Sequence, residues 1–432
     1  MNVDGIEPGA AKRTPRPPEG PKGLERAPRF LRPQVPRNLT PEQRAGERTS
    51  TWLELFFDLC FVVAVAALAR GLHDEPNIGG ALRFLGLFVP VWWSWMIFTW
   101  YASAFDNDDV PYRVTLLAAM LCMLGLAASV EGVGAEAGSA AAFVVAYASM
   151  RFLMAGLFLR ALRHAPSDLR SFVAFYAAGN GIGAAVWLSS LLVPEPGRYA
   201  VWAAGLLVEL LAPILAVGTL ENPRVSFHPG HIAERYGLFT IIVLGESVLA
   251  VAAGTAGTDW APSAVFTAAL GFVAAACIWW VYFDHVGSSG IELGPQPAFY
   301  WGYGHLAVYA GIAAFGVGTQ LSVEAAGAGG AHALLALGAG SAGAAPGGGD
   351  YGLGARLALG GGLALYLAGI AFVDRVNEGA RNGAVLPARL GAAALLLGLS
   401  FAGSPLSPLA FIALVVAVLL TLTTFETLRP SP

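Results

Sequence analysis

Charge is scarce in this chain. Only 12% of its 432 residues are charged, against roughly 25% in an ordinary soluble protein. That leaves too few charges to cover a water-facing surface, which excludes a soluble globular enzyme. Cysteine is scarcer still. Cys60, Cys122 and Cys277 each lie in an apolar stretch with no Cys or His at metal spacing. Three cannot all pair, so buried free thiols are expected. Strand alternation, a Walker loop, zinc-finger spacing and a Ser/His/Asp set are all missing. The residues therefore assign no catalytic group, no metal and no cofactor.

Apolar sequence is what the chain has in abundance. Hydrophobic residues make up 56% and mean hydropathy is +0.61. Stretches of about twenty apolar residues recur, the length needed to cross a bilayer as helix. The expected fold is all-α, a polytopic transmembrane helix bundle with the lipid bilayer as its partner. Charges, Pro and Gly bound twelve spans, at 52–72, 81–102, 111–131, 140–162, 169–193, 198–219, 236–255, 262–283, 299–322, 352–373, 385–402 and 408–427. The domain is thus 52–427, followed by a short tail, 428–432. The Gly-rich stretch 323–351 is read as an extracytoplasmic loop.

Residues 1–51 differ from the rest. They hold ten of the 25 Lys and Arg and nine of the 27 prolines, without a helical apolar period. They read as a disordered basic cytoplasmic tail. No charged n-region leads into an apolar core, so no cleavable signal peptide is expected. Two roles stay open, contact with anionic lipid head groups or a solvated leader that helps fix topology. With no interleaved aromatics, the tail gives no support for nucleic-acid binding. If it is cytoplasmic, 20 of the 25 cations fall on that side. This asymmetry favours twelve spans with both termini inside.

An ionisable group at mid-bilayer costs at least about 2.5–3.5 kcal/mol, so it faces protein or a wet cavity. The first span opens LELFFDL, with Glu54 and Asp58 four apart on one helix face. Such a pair suits a cation or proton site, or equally a structural pairing with Arg from another helix. Glu246 lies about halfway through the seventh span, between Gly245 and Ser247, and reads as the deepest acid. Glu234 and Arg235 are placed at that span's cytoplasmic edge. Glu209 precedes Pro213 in the sixth span. Arg151, mid-way in the fourth, is the natural partner for a buried acid. His305, Gln320 and Asn180 read as interhelical hydrogen-bonders. His228 and His231 have a spacing that zinc could use, but Pro229 and Gly230 are read as breaking the helix such a site needs. Trp92, Trp93, Trp95 and Trp100 either line a cavity or form a belt or lipid-facing surface. Asp106, Asp108 and Asp109 follow at the second span's exit. The Trp279–Trp280 pair and the exit at Asp284 echo this pattern six spans later, which is compatible with a two-half internal repeat in parallel orientation.

Four of these strings resemble signatures of the bacterial low temperature requirement A (LtrA) family. They are ELFFDLCFV at 54–62, the Phe-Asp-x-Asp-Asp exit at 105–109, ERYGLFTIIVLGES at 234–247 and WWVYFD at 279–284. They lie in order over about 230 residues. The resemblance implies a multi-pass protein of the bacterial plasma membrane, linked by name to growth in the cold. It implies signature positions at Glu54, Asp58, Asp106, Asp108, Asp109, Glu234, Arg235, Glu246 and Asp284, and no reaction.

The leading expectation is an ion- or proton-coupled secondary transporter of an unknown small solute. Asp58 and Glu246 would share one hydrated pocket near the midplane, with Arg151 as counter-charge and Glu54 and Glu209 on the path. Two other classes remain. A membrane enzyme acting on lipid predicts a polar cluster beside a groove open to lipid. A non-catalytic envelope or cold-adaptation protein predicts every buried acid paired.

Overall fold

The computed structural model describes residues 49–105, 108–134, 136–218, 227–285, 295–338, 351–378 and 384–428. The tail up to residue 48, Asp106, residues 339–350 of the Gly-rich stretch and residues 429–432 lie outside the described residues. Among the described residues there is no strand, and twelve helices are long and apolar enough to cross a membrane.

Local sequence starts these helices. α1 (Trp52–Asp74) opens with a capping box, in which Thr51 Oγ1 accepts from Glu54 N and the Glu54 carboxylate accepts from Thr51 N, satisfying two end donors at once. α2 (Ile78–Phe105) contains Pro90 and no charge in its deeper part. Asp109 caps α3 (Val110–Ser129) by accepting from Tyr112 N at 2.9 Å. α4 (Ala137–Leu162), α5 (Arg170–Ser189) and α6 (Gly197–Gly218) complete the first six. α7 (Pro229–Ala256) takes His228 as its cap and Pro229 as its first residue. α8 (Pro262–His285) and α9 (Pro295–Gly338) follow. α10 joins Leu353–Arg356, a π-helical turn at Leu357–Gly361 and Gly362–Glu378. α11 (Val385–Ala402) and α12 (Pro408–Thr427) close the chain.

Three expectations need correction. Pro229 and Gly230 begin α7 rather than break it, because proline lacks only a donor that has no partner in the first turn anyway. The seventh helix therefore starts seven residues earlier than expected. The ninth does not end at 322 but runs to Gly338, so residues 323–338 of the expected loop are helical. Their Ala and Leu content favours helix, and neither proline nor charge interrupts them after Glu324. Finally, Trp92, Trp93, Trp95 and Trp100 are all buried, so they form neither a belt nor a lipid-facing surface. Trp279 and Trp280, by contrast, are about half exposed at 47% and 46%. The two Trp pairs that suggest a repeat thus sit in different surroundings.

α2, α9 and α10 are the most enclosed helices. α1 packs on α2, α3, α7 and α9, and α7 packs on α8 and α9. At the near end, where α1 begins, Glu54 meets His231 of α7, and His228 N donates to Ser103 Oγ near the end of α2. At the far end, His73 of α1 meets Glu324 of α9 at 3.1 Å. The seam between α1, α7 and α9 therefore runs the length of the bundle.

Candidate functional site

Asp58 lies two turns into α1 and is completely buried. Its Oδ1 accepts from the Arg235 guanidinium and from Trp95 Nε1, the latter at 2.7 Å. Arg235 Nη1 also lies 3.5 Å from Glu54, and His231 Nε2 lies 3.4 Å from the same carboxylate. The early start of α7 places Arg235 almost two turns inside the helix, not at its edge. One guanidinium faces two carboxylates, so charge balance needs one more positive charge, on His231 or as a bound proton. Asp58 Oδ2 and Arg235 Nε are buried without a hydrogen-bond partner among the described residues. Glu234, on the neighbouring face, accepts from Ser50 N at 3.2 Å and ties down the start of α1.

Above this cluster the seam is closely packed and largely aromatic and aliphatic. Trp95 stacks on Phe239 with centroids 4.4 Å apart, and Tyr309 meets Phe239 edge-on at 4.9 Å. Phe61, Ala64, Val65, Val243 and Ile312 are buried in the same interval of the three helices. Beyond them, at the far end, a cavity of about 310 Å³ opens between α1, α7 and α9. Its polar lining is Arg70, His73, Asp74, Glu246, Ser247 and Gln320, and small residues such as Ala66, Ala313 and Gly316 form much of the rest. Glu246 is half-buried and makes no hydrogen bond or ion pair among the described residues. Arg70 is the cation that acts on it, yet Arg70 is already bonded to Glu131 at 2.8 Å. His73 is engaged by Asp74 and Glu324.

Asp58 and Glu246 do not meet in one pocket. Arg235 and Glu246 are eleven residues apart on α7, about 16 Å of helix rise, and the aromatic layer lies between. Nor does Arg151 serve either of them. It is fully buried beside Glu209 at 3.7 Å, donates to Ser94 Oγ at 2.7 Å and lies over the Tyr147 ring at 5.0 Å. The Tyr147 hydroxyl donates to Glu209, and Asn180 Oδ1 completes the group at 3.5 Å from Arg151. Glu209 is thus held in a second cluster, between α4, α5 and α6.

Sequence reasoning missed a third cluster. Arg389 of α11, one of the cations counted on the cytoplasmic side, is fully buried and donates to Glu426 of α12 at 2.7 and 2.9 Å and to Asp374 of α10 at 2.9 Å. The available signal was a lone Arg inside an apolar stretch, with acids inside the two flanking spans. The remaining signature acids scatter. Asp108 is exposed and pairs with Arg113, Asp109 is buried and pairs with Arg160, and Asp284 is exposed at the end of α8. His305 does bridge helices, from Trp301 O to the Tyr282 hydroxyl. Cys60 and Cys277 are buried free thiols, whereas Cys122 is only partly covered.

Comparison with known proteins agrees with the motifs. An uncharacterized protein of Rhizobium meliloti (strain 1021) is 27% identical over 296 residues, which cover 65% of this chain and 71% of that relative. The family model for the bacterial low temperature requirement A protein matches residues 49–424, from the cap of α1 to the last turns of α12. The chain is therefore a membrane-spanning helical protein that belongs to the bacterial low temperature requirement A (LtrA) family.

Proposed function

We propose that this protein is a proton- or cation-coupled secondary transporter of the bacterial plasma membrane, with both termini cytoplasmic and the α1–α7–α9 seam as its path. One observation carries the reading. A cavity holding Glu246, a half-buried carboxylate without a hydrogen-bond partner among the described residues, ends on a packed aromatic layer, and a buried charge cluster lies beyond that layer on the same helices. In this reading the far end is open and the near end is shut. The Arg235 links to Asp58 and Glu54 form the closed gate. Its imbalance of two acids to one guanidinium gives it a reason to take up a proton when it opens. Alternating access would then expose Glu246 to one side and Asp58 to the other. Glu209 and Arg151 pair with each other away from this path and act as bracing.

The test is flux in proteoliposomes of the full chain carrying an entrapped pH-sensitive dye, challenged with a bacterial metabolite extract. Wild type should show extract-dependent proton movement. Glu246→Gln and Asp58→Asn should each reduce it at least tenfold while retaining the helical circular dichroism signal. If both variants behave as wild type does, the mechanism is wrong.

A second reading has its own support. Glu54, Asp58, Asp109, Glu209 and Glu426 are buried, and each has a cationic partner. That is the pattern of a scaffold whose charges hold helices together. It predicts no flux from wild type under any extract.

A further inference from the structure

We infer that the far-end cavity is a binding site for a small primary ammonium compound, with Glu246 as the group that receives the ammonium. The inference rests on the seam being the transport path and names what travels along it.

Charge sets the sign of the ligand. The groups around the cavity are the acids Glu246, Asp74, Glu324 and Glu131 against Arg70 and His73. Even with His73 charged, acids are in excess, so the cavity draws cations. The one guanidinium of the lining, Arg70, gives its Nε to Glu131 and lies largely exposed at the rim, whereas Glu246 is half-buried in the wall, so the enclosed end of the cavity favours a cation over an anion. Among the four acids, Glu246 alone has neither a hydrogen bond nor an ion pair with another described residue.

Lining and size set the kind of cation. No Phe, Tyr or Trp lines this cavity, so the cation–π cage that recognises quaternary ammonium is missing. Dehydrated Ca2+ or Mg2+ asks for six or more oxygen ligands and zinc for a convergent set of His, Cys or carboxylate groups; no three such side chains converge among the described residues, and most of this wall is alkyl. A water takes about 30 Å³ of liquid, so a cavity of about 310 Å³ suits a solute of several heavy atoms. An ammonium with N–H groups can use the Glu246 carboxylate and the side-chain oxygens of Ser247 and Gln320. A short alkyl body then lies against Ala66, Ala250 and Ala313.

The same carboxylate can hold a proton or an ammonium group, not both. Loss of one on uptake of the other would couple the two flows in opposite directions, with no further site.

The test is calorimetric titration of the full chain in lipid nanodiscs with butylammonium, tetramethylammonium and butyrate. Butylammonium should bind, and the other two should bind at least tenfold more weakly. Glu246→Gln should weaken butylammonium at least tenfold. Ala253→Phe, at an exposed position on the cavity wall, should weaken it as well without lowering the melting temperature. The inference is overturned if butylammonium fails to bind, if Glu246→Gln binds it as wild type does, or if tetramethylammonium or butyrate competes equally. Proton flux that needs Glu246 without any butylammonium binding would sink this inference and leave the transporter reading standing. Butylammonium binding that needs Glu246, in a protein that moves neither proton nor amine, would do the reverse.

Discussion

At Arg235 one guanidinium fork serves two carboxylates on α1, one through each terminal nitrogen. Both lysines of the chain lie in its first 51 residues, so every Lys or Arg cation of the helical domain is an arginine. An arginine presents several donors in a fixed plane, whereas a lysine is a point charge. Arg235→Lys should therefore keep one link and lose the other. Arg235→Met takes the one cation from Asp58 and leaves Glu54 with His231 alone, and breaking a buried pair from one side typically costs about 3–5 kcal/mol. We expect a large fall in melting temperature for Arg235→Met in detergent, a smaller one for Arg235→Lys, and partial recovery in Arg235→Met/Asp58→Leu. Equal melting temperatures for Arg235→Met and wild type would remove the cluster's structural role. The sequence made Asp58 and Glu54 legible as odd residues in an apolar helix. It misjudged Arg235 and Glu246, each for a physical reason. Arg235 looks peripheral when Pro229 is read as breaking the helix, whereas Pro229 begins it. Glu246 reads as deepest because it lies about halfway along its span, but burial depends also on which way a helix is turned. Ile241, Val248 and Leu249 show that one face of α7 is exposed, and only the neighbouring helices fix that direction.

Among the elements, α9 is gripped most closely. Gly304, Gly311 and Gly318 recur every seven residues along it and face α10. A Cβ at Gly311 would lie 2.6 Å from Tyr366 N, and one at Gly318 would lie 2.1 Å from Leu359 N. Gly362 and Gly369 answer from α10, where a Cβ would meet Phe315 N and Val308 N. In lipid the apolar surfaces gain little by leaving the solvent, so close backbone contact between small residues holds helices together. The π-helical turn at Leu357–Gly361 lies at this crossing and widens α10 where Gly318 arrives. Gly318→Ala forces backbone to move and should destabilise by about 1–3 kcal/mol, the usual cost of overpacking. Gly391→Ala, where a Cβ meets nothing, should instead be neutral or slightly stabilising. Thermal unfolding of both variants in the same detergent checks the contrast, and similar melting temperatures would mean the crossing is looser than it looks. The seven-residue glycine spacing is present in the sequence, but spacing alone does not say which helix those glycines face. Hydropathy located the spans because it depends only on local composition. Contacts such as Gly318 with Leu359 depend on which helices become neighbours, and composition does not encode that.

For the molecule as a whole, orientation follows from which cations reach the surface. The structure changes that count, because Arg235 and Arg389, assigned to the cytoplasmic side by sequence, are buried in ion pairs, and Arg356, assigned to the opposite side, is buried against the Tyr351 and Ser400 carbonyls. Acids neutralise Arg235 and Arg389 in the interior, and Arg356, though still charged, is fixed inside the bundle by carbonyls, so none of the three counts among the surface cations. What remains at the near end among the described residues is Arg113, Arg160, Arg163, Arg170 and Arg375, against Arg70, Arg83 and Arg198 at the far end. All three far-end cations pair with an acid, Arg70 with Glu131, Arg83 with Glu75 and Arg198 with Glu195, as do Arg113 and Arg160 at the near end. The near end keeps its excess, so the positive-inside tendency still places it in the cytoplasm. Ser167, in the α4–α5 connection, and Ser404, between α11 and α12, are both exposed and lie at opposite ends. With Cys60, Cys122 and Cys277 replaced by alanine, Ser404→Cys should react with a membrane-impermeant maleimide in intact spheroplasts. Ser167→Cys should react only after permeabilisation. The reverse pattern would turn the molecule over, and the cavity at Glu246 would then face the cytoplasm. The proposed site would be unchanged in chemistry, but it would load from inside the cell, and the direction in which a bound amine and a proton exchange would have to be reversed.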